Sequence, residues 1–321
     1  VTYGSSATLQ YNTTTARTAS SEEWITPFDA TGGVIIASTG NITMNEAKVF
    51  NASVPLTINS GATLSTNATS NFALTFNGNF VNSGTLSAGS SAISISGTAT
   101  QSIGGFTTTG LLSMTKTAGT ATFTGNVSGA GLTINGSGGT LNLGTGLTHT
   151  FTGSWTRTAG TLNGGSSTIN FSLTGTVASG TGDTFTSGTG TVGYTGSGQT
   201  IAPVTYNNLT INQSSGNATL SDNATVGGTL TLTSGKIITG SNTLIISSTG
   251  SISGASSTRY VVGNLQKNVA TGATSKTFEV GNNSNYNPVD VTFGNVTVAG
   301  NLIAKVTSGE HANNATSTLN S

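Results

Sequence analysis

Two stretches about 75 residues apart match one another closely, and the match is carried by turn residues and apolar positions rather than by charge. Residues 76–98 read Phe76-Asn77-Gly78-Asn79-Phe80, then Gly84-Thr85-Leu86, then Gly89-Ser90-Ser91-Ala92-Ile93, and close at Gly97-Thr98. Residues 151–176 read Phe151-Thr152-Gly153-Ser154-Trp155, then Gly160-Thr161-Leu162, then Gly165-Ser166-Ser167-Thr168-Ile169, and close at Gly175-Thr176. The Gly-Thr-Leu element returns at Gly139-Thr140-Leu141 and Gly228-Thr229-Leu230, and Gln101-Ser102-Ile103 is echoed by Gln199-Thr200-Ile201. Self-similarity of this kind marks an array of supersecondary units that bury a core only by stacking.

Between these landmarks, short runs alternate apolar residues with Thr or Asn, as in Leu132-Thr133-Ile134, Leu141-Asn142-Leu143, Leu209-Thr210-Ile211 and Leu230-Thr231-Leu232. Gly and Asn punctuate them, which is the pattern of brief strands. No stretch has helical periodicity, and 46 glycines would weaken a helix at nearly every turn. Two architectures use many short strands with Gly-rich corners: antiparallel sandwiches or barrels, and parallel β-helices.

Charge separates the two. In a β-helix each residue lies about 4.8 Å above its equivalent in the next coil, so a repeated charge would face its own copy at about 1 kcal/mol in water. No carboxylate occurs between Glu46 and Asp183, and in that interval Lys48, Lys116 and Arg157 are the only cations. Thr, Ser and Asn tolerate such stacking, since Asn forms hydrogen-bonded ladders and Thr is β-branched. The sequence therefore predicts an all-β fold, a right-handed parallel β-helix over residues 1–255 with roughly ten to twelve coils of about 20 to 24 residues.

From Arg259 the character shifts, and seven of the eighteen charged residues fall there. Strand candidates at residues 260–262, 276–280, 289–293 and 302–306 are separated by longer polar turns such as Asn282-Asn283-Ser284-Asn285. This predicts a small antiparallel β-domain over residues 256–321, either a cap on the solenoid or a sandwich short of strands.

The nine basic and nine acidic residues balance, which leaves no electrostatic footprint for nucleic acid or an anionic membrane. There is no cysteine, so disulfides and thiolate metal sites are excluded. No apolar run approaches the roughly 20 residues of a transmembrane helix, so no membrane span is expected. Starting at Val1 without a Met or a leader fits a mature secreted product and fits a cut from a longer chain equally well.

The stretch Gly146-Leu147-Thr148-His149-Thr150-Phe151-Thr152-Gly153 with Trp155, and Tyr206-Asn207-Asn208-Leu209-Thr210-Ile211-Asn212, resemble the large repeat-rich surface proteins of Bacteroidota and their relatives. Arg259-Tyr260-Val261-Val262-Gly263, with Phe278-Glu279-Val280-Gly281 and Asn287-Pro288-Val289, is similar to the β-domain that often follows such repeats. The resemblance implies export, commonly by the type IX route, to the cell surface or medium. The C-terminal sorting domain that route expects is not evident.

Polysaccharide-cleaving β-helices need carboxylates or cations clustered in one groove. Here Glu22-Glu23, beside Trp24, is the only adjacent acidic pair, and it reads as a solvated loop. Asp183 and Asp222 sit among Gly, Ser and Asn and read as turn formers. His149 and His311 are single and distant, which argues against metal ligation or catalysis. No catalytic, metal or cofactor residue is assigned, and the chain is expected not to be an enzyme.

Trp24, Tyr194 and Tyr206 are candidates for carbohydrate or partner contact, because aromatic faces suit sugar rings. Trp155 occupies the repeat position that Phe80 fills in the other copy, which predicts core packing. The Thr-x-Thr runs 120–124, 148–152 and 229–233 raise ice binding, but their uneven spacing argues against a single ladder. The expected role is a structural or adhesive module of the extracellular surface, with neighbouring modules or copies of itself, joined head to tail, as partners. Val1, Thr2 and Tyr3 are the candidate strand donors for such a joint. A carbohydrate-binding or carbohydrate-cleaving β-helix acting on extracellular polysaccharide is the alternative.

Overall fold

The computed structural model describes residues 1–307 and 309. Among them no helix forms, and the chain winds as a β-solenoid of about 13 turns. Each turn contributes three short strands, so three parallel ladders run along the molecule. The longest has 12 strands, from Arg17–Thr18 through Thr63–Ser65, Thr148–Phe151 and Thr229–Ser234 to Ser251–Ser253. A second begins at Leu9–Tyr11 and reaches Thr184–Thr186, and a third passes through Leu74–Phe76, Ile93–Ile95 and Leu111–Met114. The strand Gly131–Asn142 bends around a corner, pairing with Leu111–Met114 by its first half and Thr120–Phe123 by its second.

Alternation decides which side chains point inward. On the longest ladder Ile42, Leu64, Leu86, Phe106, Val127, His149, Ile169, Val192, Leu209 and Leu230 stack as one buried column. Beside it, Phe151, Phe171, Tyr194, Ile211 and Leu232 continue a second. Like residues thus pack on like across a repeat of about 4.8 Å.

One corner is a stack of glycines. Gly144, Gly165 and Gly188 have φ of +81°, +57° and +57°. A Cβ on Gly165 would lie 2.1 Å from the carbonyl oxygen of Gly144, and one on Gly188 2.2 Å from that of Gly165. Both the backbone conformation and the close approach of successive coils require glycine there.

The 75-residue similarity is not a whole number of coils. Leu86 lies on the longest ladder whereas its counterpart Leu162 lies on the second. Ile93 lies on the third, its counterpart Ile169 on the longest. Phe80 lies on the second and Trp155 on the third. The repeated unit is a strand and its turn, displaced by one face, and not a full revolution. Trp155 is buried in the core, as its repeat position predicts.

The winding does not stop at the boundary expected at residue 255. Val261–Val269 pairs in parallel with Ile237–Ile246, and Val280–Gly281 pairs in parallel with Val261–Val269. This continuation is why the coils outnumber the ten to twelve expected. Among the described residues the antiparallel strand pairs are Gly300–Ala304 against Val261–Val269 and the two-stranded sheet of Gly272–Phe278 with Val289–Val296, with isolated antiparallel bridges at Ser256–Arg259 and Gly281–Tyr286. The strand pairs grow out of the last coil as a cap. At the other end, Trp24 and Phe28 fill the first coil beneath Phe50.

Stacking of like on like predicts a measurable charge effect at the paired outward residues Thr168 and Thr191. Each single Glu substitution should change stability by no more than about 0.5 kcal/mol. The double substitution should cost about 1 kcal/mol beyond the sum at low ionic strength, and a double-mutant cycle of chemical denaturation should show that excess fading at high salt.

Candidate functional site

The aromatic contact candidates are all in the core. Trp24, Tyr194 and Tyr206 are each 0% exposed, so none can meet a sugar or a partner. Tyr194 and Tyr206 instead clamp a corner. The Ala202 N–H donates to the Tyr194 hydroxyl at 2.8 Å, the Tyr206 hydroxyl donates to the Ala202 carbonyl at 2.6 Å, and the two hydroxyls lie 2.7 Å apart. Burial raises both phenols, that of Tyr194 to about 12. Trp24 packs with Tyr11 and Phe50, its ring centroid 5.5 Å from the Lys48 ammonium.

The candidate strand donor is tied down at its third residue. Val1 and Thr2 are exposed and no strand forms at residues 1–3. The Tyr3 ring lies 5.1 Å from that of Phe28, and its hydroxyl donates to the Glu23 carbonyl. Tyr3 is therefore part of its own molecule's first coil, which leaves at most Val1 and Thr2 to be donated.

Of the acidic pair, Glu22 is exposed, while Glu23 is a local hub. Its carboxylate accepts two bonds from Arg17 at 2.7 and 2.8 Å, one from the Tyr11 hydroxyl at 3.1 Å and one from the Ser20 N–H at 3.1 Å. Asp222 forms the expected turn, accepting from the Asn223 N–H at 2.7 Å. Asp183 does not: its carboxylate is buried and accepts from Arg157 Nε at 2.6 Å. Burial pushes the Asp183 carboxyl up and Arg157 pulls it back. The guanidinium in turn lies 4.8 Å from the Trp155 ring centroid. Sequence reading missed this pair, because 26 residues separate partners that winding places one coil apart.

His149 occupies an inward position in the column between Val127 and Ile169. Its Nδ1 accepts from the Val127 N–H at 3.2 Å, and Nε2 lies 2.8 Å from the Leu143 carbonyl. That arrangement fits only the neutral ring protonated on Nε2, since a second proton on Nδ1 would face a donor. Burial accordingly lowers its pKa. His311 lies outside the described residues. Lys116 is fully buried, donating to Gln101 Oε1 at 2.6 Å and to the carbonyls of Ala99 and Ser96 at 2.7 and 3.4 Å. Burial lowers its pKa. These polar groups are interior fittings whose partners are supplied by the adjoining coil or, for Nε2 of His149, by the same one.

What remains for function is the outer surface. On the longest ladder two outward columns run in register: Thr148, Thr168, Thr191, Asn208 and Thr229, and beside them Thr150, Asn170, Gly193, Thr210 and Thr231. Thr148-x-Thr150 and Thr229-x-Thr231 therefore do share one ladder, contrary to the sequence expectation, because intervening coils of 17 to 23 residues conceal the period. Thr120-x-Thr122 stands on another face.

An open cleft of about 610 Å³ lies at the C-terminal end, between the turn at residues 282–285 and Lys305, and among the described residues neither an aromatic nor an acidic side chain lines it. Among the described residues no group of three or more His, Asp or Glu side chains is placed to hold a metal ion. No helix among them is long and apolar enough to cross a membrane. Compared with models of known families, with curated proteins and with solved structures, the chain matches none.

Two interior features yield predictions. With its folded-state pKa depressed, His149 withholds a proton that the unfolded chain binds below about pH 6.5, so stability falls as pH drops below that value. The fall should reach at most about 1.4 kcal/mol per pH unit. His149→Gln should remove this slope, whatever its effect at neutral pH, in denaturation measured from pH 7 to pH 5. Arg157→Met should cost about 3–5 kcal/mol by stranding a buried carboxylate, and adding Asp183→Leu should recover most of the loss.

Proposed function

We propose that this chain is a non-catalytic structural or adhesive module of an extracellular surface, a rigid rod that joins end to end with copies of itself or with neighbouring modules. The observation that carries this reading is the longest ladder. From Asn41–Thr43 onward its strands present registered, uncharged Thr, Ser and Asn columns outward, over an interior that is apolar apart from a few buried polar side chains such as His149. Such a body resists bending, because each coil is held to the next by backbone ladders on three sides. Four of the nine carboxylates, Glu23, Glu46, Asp183 and Glu279, are engaged by cations of the same chain. The resemblance of the repeats to Bacteroidota surface proteins supports export to the cell surface, by the type IX route or another.

Electron microscopy of the purified chain should show rods that lengthen with concentration. Assays on uronate and neutral polysaccharides should show no cleavage. Release of product that disappears on replacing Glu22, Glu23 or Asp183 would instead establish a carbohydrate-cleaving β-helix.

A second reading, ice binding, is favoured by one observation, the two registered Thr-rich columns, which Asn208, Asn170 and Gly193 interrupt. Where Thr stands on Thr, as at Thr148, Thr168 and Thr191 and again at Thr210 and Thr231, hydroxyls lie about 4.8 Å apart between coils, and Thr-x-Thr sets them about 6.6 Å apart along a strand. This reading requires thermal hysteresis that is lost in Thr150→Tyr with Thr210→Tyr. A chain without hysteresis retires it.

A further inference from the structure

Among the described residues, the charged side chains that form no ion pair within the molecule are unevenly shared between its two ends, acidic at the first coil and mostly basic at the last. Internal pairing consumes Arg17 with Glu23, Lys48 with Glu46, Arg157 with Asp183, and Lys267 with Glu279. Among the described residues, the first coil then retains Glu22 and Asp29, both exposed and with no cation paired to them. The last coils and their cap retain Lys236, Arg259, Lys276 and Lys305 against Asp290. Lys305 is exposed and the other three cations are half-exposed. Between residues 31 and 235 the unpaired charges are Lys116, which is buried, and Asp222. Counted whole, residues 1–30 carry one cation and three carboxylates, and residues 236–307 carry five cations and two carboxylates. Glu310, outside the described residues, lessens the positive excess without changing its sign.

The two ends cannot neutralise one another within one molecule. About 13 coils at about 4.8 Å each place them roughly 60 Å apart, against a screening length of about 10 Å at moderate salt. They meet only when the acidic first coil of one copy abuts the basic last coil of another. The backbone geometry suits the same junction. Among the described residues, Leu9–Tyr11 and Arg17–Thr18 have ladder neighbours on one side only, as does Ser251–Ser253. A contact between unlike ends does not close on itself, and it repeats into a filament.

We infer that a second copy of this chain is the partner of each end, and that the acidic first coil and the basic C-terminal cap select head-to-tail over head-to-head or tail-to-tail contacts. This inference rests on the end-to-end reading proposed above and adds what sets polarity, since like ends repel.

The test uses two variants of the full chain. Glu22→Lys with Asp29→Lys makes the first coil basic, so both ends of that variant are basic. Lys276→Glu with Lys305→Glu makes the cap acidic, so both ends of the second are acidic. Sedimentation velocity with electron microscopy should show the unaltered chain assembling at low salt. Its apparent Kd should rise roughly tenfold between about 0.05 M and about 0.5 M NaCl. Each variant alone should stay monomeric, and an equimolar mixture should form alternating filaments, which a merely misfolded variant cannot do. Variants that assemble alone like the parent, or a mixture no better than its components, overturn the charge-matched junction while leaving an end-to-end rod in place. A parent chain that stays monomeric at low salt overturns the inference together with the reading beneath it.

Discussion

Every feature of this protein follows from one contact: each residue rests on the residue of the next coil at the distance of a backbone hydrogen-bonded ladder. That contact rewards identity for apolar and hydroxyl side chains and penalises it for charges. It explains why Thr, Ser and Asn replace Lys and Glu on the outer faces, and why the inward columns repeat Leu, Ile, Val and Phe. The same contact fixes the corners. Where carbonyl oxygens of successive coils come within 2.2 Å of a would-be Cβ, as at Gly165 and Gly188, side chains are excluded altogether.

Most of the polar side chains inside obey a corresponding rule: they are satisfied by their own coil or by the one beside it. His149 bonds to Val127 and Leu143, Gln101 donates to the carbonyls of Phe76 and Gly78, and Lys116 sits on Gln101. A buried polar atom left without such a partner would cost more than the bond itself contributes. These groups therefore pin the register of neighbouring coils, since a slip of one residue would strand them all at once.

Much of this was legible in the sequence. Alternation, glycine punctuation and the charge gap from Glu46 to Asp183 suffice for stacked parallel strands, and the shift in composition at Arg259 locates the antiparallel cap to within part of a coil. The phase between faces was not legible, because all three faces use the same strand and turn chemistry, and so Trp155 and Phe80 pass for equivalents while lying on different ladders. Parity was an unused signal. Tyr194 shares the inward phase of Val192, Arg157 that of Trp155, and Asp183 that of Phe185, so strict alternation places all three inside. Trp24 carried no such signal, since it lies in an irregular turn and is buried by contacts with distant residues.

The displacement of the repeats by one face bears on how such a body can change length. Because a strand and its turn fit equally on any of the three sides, a copied segment need not equal a whole revolution to be accommodated; it has only to end where a turn ends. Tandem duplication therefore has three times as many acceptable breakpoints as it would in a solenoid whose sides differ. Growth by a third of a coil turns every later strand round by one face, so that only the two coils at the joint meet new neighbours and the packing beyond them is kept.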